Sequence, residues 1–276
     1  MILVTGATGN AGGAVVRALL DAGEAVRALV RDADRSPLPA GVEAAVGDMN
    51  RPETLEPHLD GVTAVFLLSG YDGLAETLGH IRCAKVERVV LLSSSAAPGG
   101  DLSNAVARYH ILSERAVRES GLAWTFLQPN SFMTNTLQWL PQLREGDVIR
   151  APFADVRVAT IDPDDIAAVA AAALTSDAHE GRAYRVSGPE SLLPADRVAI
   201  LAEVLDRELR FEGQPDEEAR AEMSEAMPPE YVDAFFRFFA DGEVDESQVL
   251  PTVKDVTGRP PRTFEQWARA HAEDFR

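Results

Sequence analysis

Residues 1–13 read MILVTGATGNAGG, and this stretch decides the fold. Ile2, Leu3 and Val4 form an apolar run that Thr5 and Gly6 interrupt. An apolar pattern at helical spacing follows: Ala11, Val15, Val16, Leu19 and Leu20. The order is therefore buried strand, tight glycine turn, helix. Gly6 permits the sharp turn, Gly9 lets a bulky anion approach the backbone, and Gly12 lets the helix lie close on the strand. The unpaired N–H groups and positive dipole end of such a helix suit a pyrophosphate. A glycine triplet alone also occurs in ordinary βα turns. Placed between a strand and a helix that open a βαβ unit, it predicts dinucleotide binding.

Outward from this turn, Ala25 to Val30 reads as a second strand with Arg31 at its end. In this topology that position meets the adenosine ribose. An arginine there pairs with a 2′-phosphate and favours NADP, whereas an acid accepts from a 2′-hydroxyl and favours NAD. Arg31 points to NADP, with Arg35 and Ser36 as helpers, and the adjacent Asp32 leaves NAD as the less favoured cofactor. A third strand, Val42 to Val46, leads into Gly47-Asp48-Met49, which either flanks the adenine or caps the turn near Arg51-Pro52. Val62 to Leu68 is continuously apolar, as in a parallel sheet covered on both faces. Ser69-Gly70-Tyr71 follows at its carboxyl end, the edge that holds the ligand crevice in doubly wound sheets. A helix at Leu74 to Ala84 precedes a strand at Arg88 to Leu92, and Ser93-Ser94-Ser95 lies at the same edge. Those hydroxyls either reach a ribose or substrate oxygen or serve as strand-end caps. A helix at Ala105 to Ser120, closed by Gly121, and a strand at Ala123 to Leu127 complete six alternations.

The fold class is thus α/β, a doubly wound parallel sheet with a smaller, mainly helical C-terminal domain. The expected boundaries are 1–150 for the nucleotide-binding domain, with 156–187 partly returning to it, and 188–276 for the small domain. After residue 145, Val148-Ile149 and Val156 to Val158 read as short strands, and Asp162 to Asp165 starts an alanine-rich helix. Arg182 to Val186 is a strand, helices fall at 194–206, 215–226, 229–240 and 263–272, and Leu209 to Phe211 is a strand among them. Val232, Phe235, Phe236, Phe238 and Phe239 make an aromatic helix face that is core, a lid over the cleft, or a partner surface.

The formal net charge of −18 over 276 residues sets a surface that repels phosphate backbones and anionic lipid, so neither nucleic acid nor membrane is an expected partner. A single cysteine, Cys83, forms no internal disulfide, and no Cys/His cluster has metal-ligand spacing. No apolar run approaches the ~18 residues of a membrane span, and no signal peptide precedes the first strand. The expectation is a soluble, cytoplasmic protein, with a homodimer left open.

TGATGNAGG at the start, Arg31 after the second strand and YHILSERAVRESGLAWTFLQPNSFMTN at 109–135 together resemble the NmrA-like branch of the atypical short-chain dehydrogenase/reductases. Within that branch the likeness is to the NAD(P)H:quinone oxidoreductase type. DPDDIAAVAAAAL and HEGRAYRVSG also fit, and the likeness thins after residue 190. The resemblance implies that Gly6, Thr8, Gly9, Asn10, Ala11, Gly12 and Arg31 bind the dinucleotide, and that Pro129, Asn130, Ser131 and Phe132 lie beside the nicotinamide. Asp48, Met49, Ser69, Gly70 and Ser93 complete the expected cofactor set. Tyr71, Phe132, Met133, Asn135 and Trp139 are the expected substrate residues.

Typical short-chain reductases use a Tyr-x-x-x-Lys pair, in which lysine lowers the tyrosine pKa and tyrosine protonates the carbonyl oxygen. Here Tyr109 is followed four residues on by Ser113, and neither of the two lysines, Lys85 and Lys254, has the spacing. His110 and Glu114 form the next i, i+4 pair, so Tyr109 and His110 are the catalytic candidates, His110 as a carboxylate-oriented proton donor or as half of a surface pair. A quinone or similar small-molecule electron acceptor relaxes the need, since it takes a hydride at a conjugated position and a proton from water. The expected activity is an NADPH-dependent oxidoreductase acting on such an acceptor. The alternative is a redox-inactive NAD(P)-sensing regulator that works through a protein partner.

Overall fold

A computed structural model describes residues 1–275. Seven parallel strands form the main sheet: β1 (Ile2–Val4), β2 (Val26–Val30), β3 (Glu43–Val46), β4 (Ala64–Leu68), β5 (Arg88–Leu92), β6 (Ala123–Pro129) and β8 (Arg182–Val186), with β7 (Val148–Ala151) standing outside it. The order is β3-β2-β1-β4-β5-β6-β8, so the chain reverses direction across the sheet between β1 and β4. This reversal leaves a crevice at the carboxyl ends of those two strands.

Successive strand side chains point to opposite faces, and each face has its own core. On one face Val4, Phe66 and Val90 pack with Val15, Val16 and Leu19 of α1 (Asn10–Asp21) and with Ile166, Val169 and Ala170 of α5 (Pro163–Thr175). On the other, Leu3, Val65, Leu67 and Leu91 pack with Leu78 and Ile81 of α2 (Leu74–Cys83) and Val117 of α3 (Ala105–Glu119). Each such Leu or Phe side chain contributes about 1.5–3 kcal/mol on burial. The apolar alternation therefore reads as one continuous run in sequence and as two half-cores in space.

A separate core gathers Met133, Trp139, Leu143, Ile149, Leu201, Phe264 and Trp267. It joins α4 (Leu140–Glu145), α6 (Pro194–Leu205) and α10 (Phe264–Ala270) around a second, two-stranded parallel sheet of β7 and β9 (Arg210–Gly213), with Val148 opposite Arg210. Two further helices, α7 (Asp216–Ala226) and α8 (Pro229–Phe239), complete the helical region.

One local expectation changes, and two short helices are added to the expected elements. Of Val156 to Val158, only Val158 pairs, exchanging N–H···O bonds with Leu192 at 3.0 and 3.1 Å. The segment 133–139 is a 3-10 helix that leads into α4. A six-residue helix, α9 (Thr252–Thr257), lies between Pro251 and Gly258 and is too short for a sequence period to show.

Candidate cofactor cleft and acceptor pocket

The β1–α1 turn is built from close backbone contacts. Gly6 has φ +62°, a left-handed conformation natural to glycine, and its carbonyl accepts from the Gly9 N–H at 2.9 Å. A Cβ on Gly12 would stand 2.1 Å from that same carbonyl oxygen, so only glycine lets α1 begin there. Gly9 caps α1 without a side-chain acceptor, and no acid lies in the first turn. The helix N-terminus therefore faces outward with its dipole unopposed. Thr8, Gly9 and Asn10 are exposed at the turn, whereas Ala11 and Gly12 are buried behind it. The Asn10 Nδ2 donates to Thr134 Oγ1 at 3.2 Å, tying the turn to the segment after β6.

This turn forms one wall of a cleft of about 940 Å³, near the top of the ~300–1,000 Å³ range for small-molecule sites. Arg31, Arg35 and Ser36 line it, as do Asp162 to Asp164 at the start of α5. Arg17 Nη2 and the Asp164 carboxylate, both in its lining, pair at 3.1 Å. Arg31 is exposed, and among the described residues no acid pairs with it: the Asp32 carboxylate accepts from the Asp34 and Arg35 backbone N–H groups at 3.0 and 3.3 Å. Asp32 thus holds its own loop. These features fit a phosphorylated dinucleotide: an uncapped helix N-terminus for the pyrophosphate and two guanidinium groups with a hydroxyl for a ribose phosphate.

A second pocket, of about 390 Å³, opens beyond the ends of β4, β5 and β6. Thr134 lines the cleft while Phe132 and Asn135 line the pocket, so the two sites meet at this turn. Ser69, Ser93, Pro129, Asn130 and Ser131 also line the pocket, as do Tyr109 and His110 of α3. Phe235, Phe238 and Phe239 close it from α8, with the Phe235 and Phe239 rings parallel at 6.4 Å between centroids. Phe236 packs instead with Val232 and Ala219. The aromatic helix is thus part core and part wall of this pocket, and none of its phenylalanines lines the cleft.

The serines are engaged. Ser69 Oγ donates to the Leu92 carbonyl at 2.8 Å, and Ser93 Oγ donates to Glu114 Oε1 at 2.6 Å. Ser95 Oγ donates to Glu246 Oε1 at 2.6 Å, and Ser131 Oγ to Glu246 Oε2 at 2.6 Å. The Ser131 N–H also reaches both oxygens at 3.1 Å. Asn130 Nδ2 donates to the Ala159 and Glu246 carbonyls at 3.2 and 3.0 Å. Glu246 escaped the reading of the sequence. Nothing in the local sequence marks it, and its role arises only from contacts 115 and 151 residues away.

Several expected site residues lie elsewhere. Met133 and Trp139 do not reach the pocket: they are buried in the second core, and the Arg197 guanidinium lies 5.2 Å from the Trp139 ring centroid. Helical periodicity after β6 turns their side chains inward. Asp48 and Met49 do not line the cleft. The Asp48 carboxylate accepts from the Asn50 N–H at 2.9 Å, and Met49 is buried in the α2-side core, so the turn-capping alternative is the one observed. Tyr71 packs against that same core, where burial and then the charge of Asp48 raise its phenol pKa. The Gly70 N–H donates to Ser113 Oγ at 3.1 Å, and the glycine borders the Tyr109 ring.

The His110–Glu114 pair does not form. Glu114 instead accepts from Ser93, from Gln128 Nε2 at 2.8 Å and from Arg118 Nη2 at 2.9 Å. The His110 Nδ1 is buried without a partner, and burial lowers the imidazole pKa to about 4. It is neutral near pH 7 and cannot serve there as an imidazolium acid. Burial, and then Tyr231, raise the Tyr109 pKa, so its phenol keeps its proton. Among the described residues, no helix is long and apolar enough to cross a membrane.

A family model described as NAD(P)H-binding matches residues 6–177, from the glycine turn to the end of α5. A (4-alkanoyl-5-oxo-2,5-dihydrofuran-3-yl)methyl phosphate reductase of Streptomyces griseus is 41% identical over 280 residues, covering 100% of this chain and 99% of that one. An NAD(P)H azoreductase of Xenophilus azovorans is 39% identical, again over 100% of this chain and 99% of its own. Among solved structures, an NADPH-dependent quinone oxidoreductase of Escherichia coli in complex with NADPH superposes with a TM-score of 0.79 at 22% identity, covering 99% of this chain and 100% of that one.

Proposed function

The chain belongs to the NAD(P)H-binding family and is an NAD(P)H-dependent oxidoreductase, and we propose that it prefers NADPH and reduces a quinone or similar conjugated acceptor. The observation that carries this reading is an aromatic-walled pocket meeting the cofactor cleft at residues 132–135, in a protein without a Tyr-x-x-x-Lys pair. An oxodihydrofuran, an azo group and a quinone, the groups in the names of similar proteins, are all electron-poor conjugated systems.

The α1 N-terminus and Thr8 to Asn10 hold the pyrophosphate, and Arg31 with Arg35 and Ser36 hold the 2′-phosphate. When bound, the nicotinamide supplies a hydride, that is, two electrons and one proton's worth of hydrogen. Phe132, Phe235 and Phe239 offer flat apolar surface to a planar acceptor and exclude water from its faces. A quinone that gains a hydride needs one further proton to become the hydroquinone. Water at the pocket mouth delivers it, while the protonated Tyr109 phenol and Ser94 hydroxyl are available to donate hydrogen bonds to a carbonyl oxygen. The chain's contribution is chiefly orientation.

Anaerobic incubation with NADPH and a panel of quinones tests the reading. Stoichiometric NADPH oxidation, faster than with NADH, is expected. Cofactor binding without oxidation by any quinone or azo compound would overturn it and restore the sensor alternative.

A further inference from the structure

Glu246 lies 8% exposed in the wall of the acceptor pocket. Its carboxylate accepts only from neutral donors, the hydroxyls of Ser95 and Ser131 and the Ser131 N–H. Among the described residues, none that lines the pocket is a lysine or arginine. The guanidinium groups nearby are engaged outside it. Arg118 pairs with Glu114 at 2.9 Å, and Arg185 donates to the Asp245 carbonyl at 3.0 Å. Behind the Ser93 to Ser95 loop there are thus two buried carboxylates, and only Glu114 has a cationic partner.

A negative charge held in an apolar, partly enclosed pocket is poorly screened, and it acts strongly on any charge brought beside it. Neutral planar molecules meet only aromatic and hydroxyl surface. An anion must lose its hydration and approach a carboxylate with no cation to offset either cost.

We propose that Glu246 is the specificity-determining residue of this pocket, admitting acceptors whose reacting ring carries no charge of its own and excluding those with an anionic group bonded directly to that ring. The assignment rests on the reductase reading above and adds the charge class of the acceptor. Through Ser131, Glu246 also positions the loop shared by pocket and cleft.

The test compares menadione with naphthoquinone sulfonate. The sulfonate withdraws electrons, so its intrinsic reactivity toward hydride is the greater, and discrimination against it comes from the protein. The wild type should show a kcat/KM at least about tenfold higher for menadione. Glu246→Gln keeps an acceptor oxygen for the serines and should shift the ratio about tenfold toward the sulfonate, mainly through its KM. A wild type that reduces the sulfonate as well as menadione overturns the proposal, as does an unchanged ratio in the variant. Calorimetric titration of the NADPH-loaded wild type, whose reduced nicotinamide is neutral, with the redox-silent pair 2-naphthol and naphthalene-2-sulfonate reads the same discrimination without turnover or mutation. Equal affinities overturn the proposal. Weak sulfonate binding with no reduction of either quinone overturns the reductase reading and leaves the charge selectivity standing.

Discussion

The Ser113 hydroxyl donates to the carbonyl of Tyr109, one helical turn earlier, at 2.7 Å, and accepts the Gly70 N–H at 3.1 Å. At the position where short-chain reductases carry lysine, this chain uses a small side chain to clip the β4 loop onto α3. Among the described residues no cation lowers the Tyr109 pKa, and burial and then Tyr231 raise it.

Tyr109→Phe should therefore lower kcat by less than about tenfold with a quinone, whereas loss of a true general acid costs ~10²–10⁴-fold. Steady-state kinetics with a saturating cofactor decides. A loss of a hundredfold or more would return proton donation to Tyr109.

Arg31→Glu should weaken NADPH binding by about 2–3 kcal/mol, through loss of a charge-assisted contact and added repulsion. NADH binding should change less, because Asp32 already serves its own loop. Fluorescence titration with both cofactors checks this, and equal losses would show that Arg31 does not read the 2′-phosphate.

His110 should make folding stability depend on pH. In the unfolded chain the imidazole takes up a proton near pH 6.5, whereas burial delays this in the folded protein to about pH 4. The unfolded state therefore binds more protons between these values. Stability is fully present above pH 6.5 and is lost progressively as pH falls to about 4, by on the order of 3 kcal/mol. Urea unfolding of wild type and His110→Asn across pH 4–7 should show this dependence shrink in the variant. The kcat of the wild type should carry no step near pH 6.5 from this residue.

Trp139→Ala should destabilise the protein by ~3–5 kcal/mol, since the ring is 2% exposed in the second core. The KM for a quinone should move little at temperatures where the variant stays folded. Denaturant titration paired with kinetics checks both, and a large KM change with unchanged stability would place the side chain in the pocket after all.

The parallel sheet and the glycine turn were legible because they rest on local chemistry. Apolar runs mark buried strands, and Gly6 and Gly12 are spaced by the geometry of one turn. The place of Arg31 in the cleft lining was legible because a residue at the end of β2 has little freedom over where it stands. Met133 and Trp139 misled because an aromatic or sulfur-bearing side chain suits a pocket and a core equally, and only the packing of α6 and α10 chooses. His110 and Glu114 had the spacing of a pair, but Ser93, Gln128 and Arg118 outcompete the imidazole for the carboxylate. Glu246 had no local signal, since both its serine partners are more than a hundred residues away.

The pocket's outer wall, α8 with Val244 and Glu246, comes from one late stretch of chain, while the cleft is lined by residues 7–39, Thr134, residues 162–164 and His271. One wall of the pocket is thus encoded apart from the cleft. Exchanging residues 228–244, which leaves Glu246 and its hold on Ser131 in place, is a route to reshape that wall while the lining of the cleft is inherited intact.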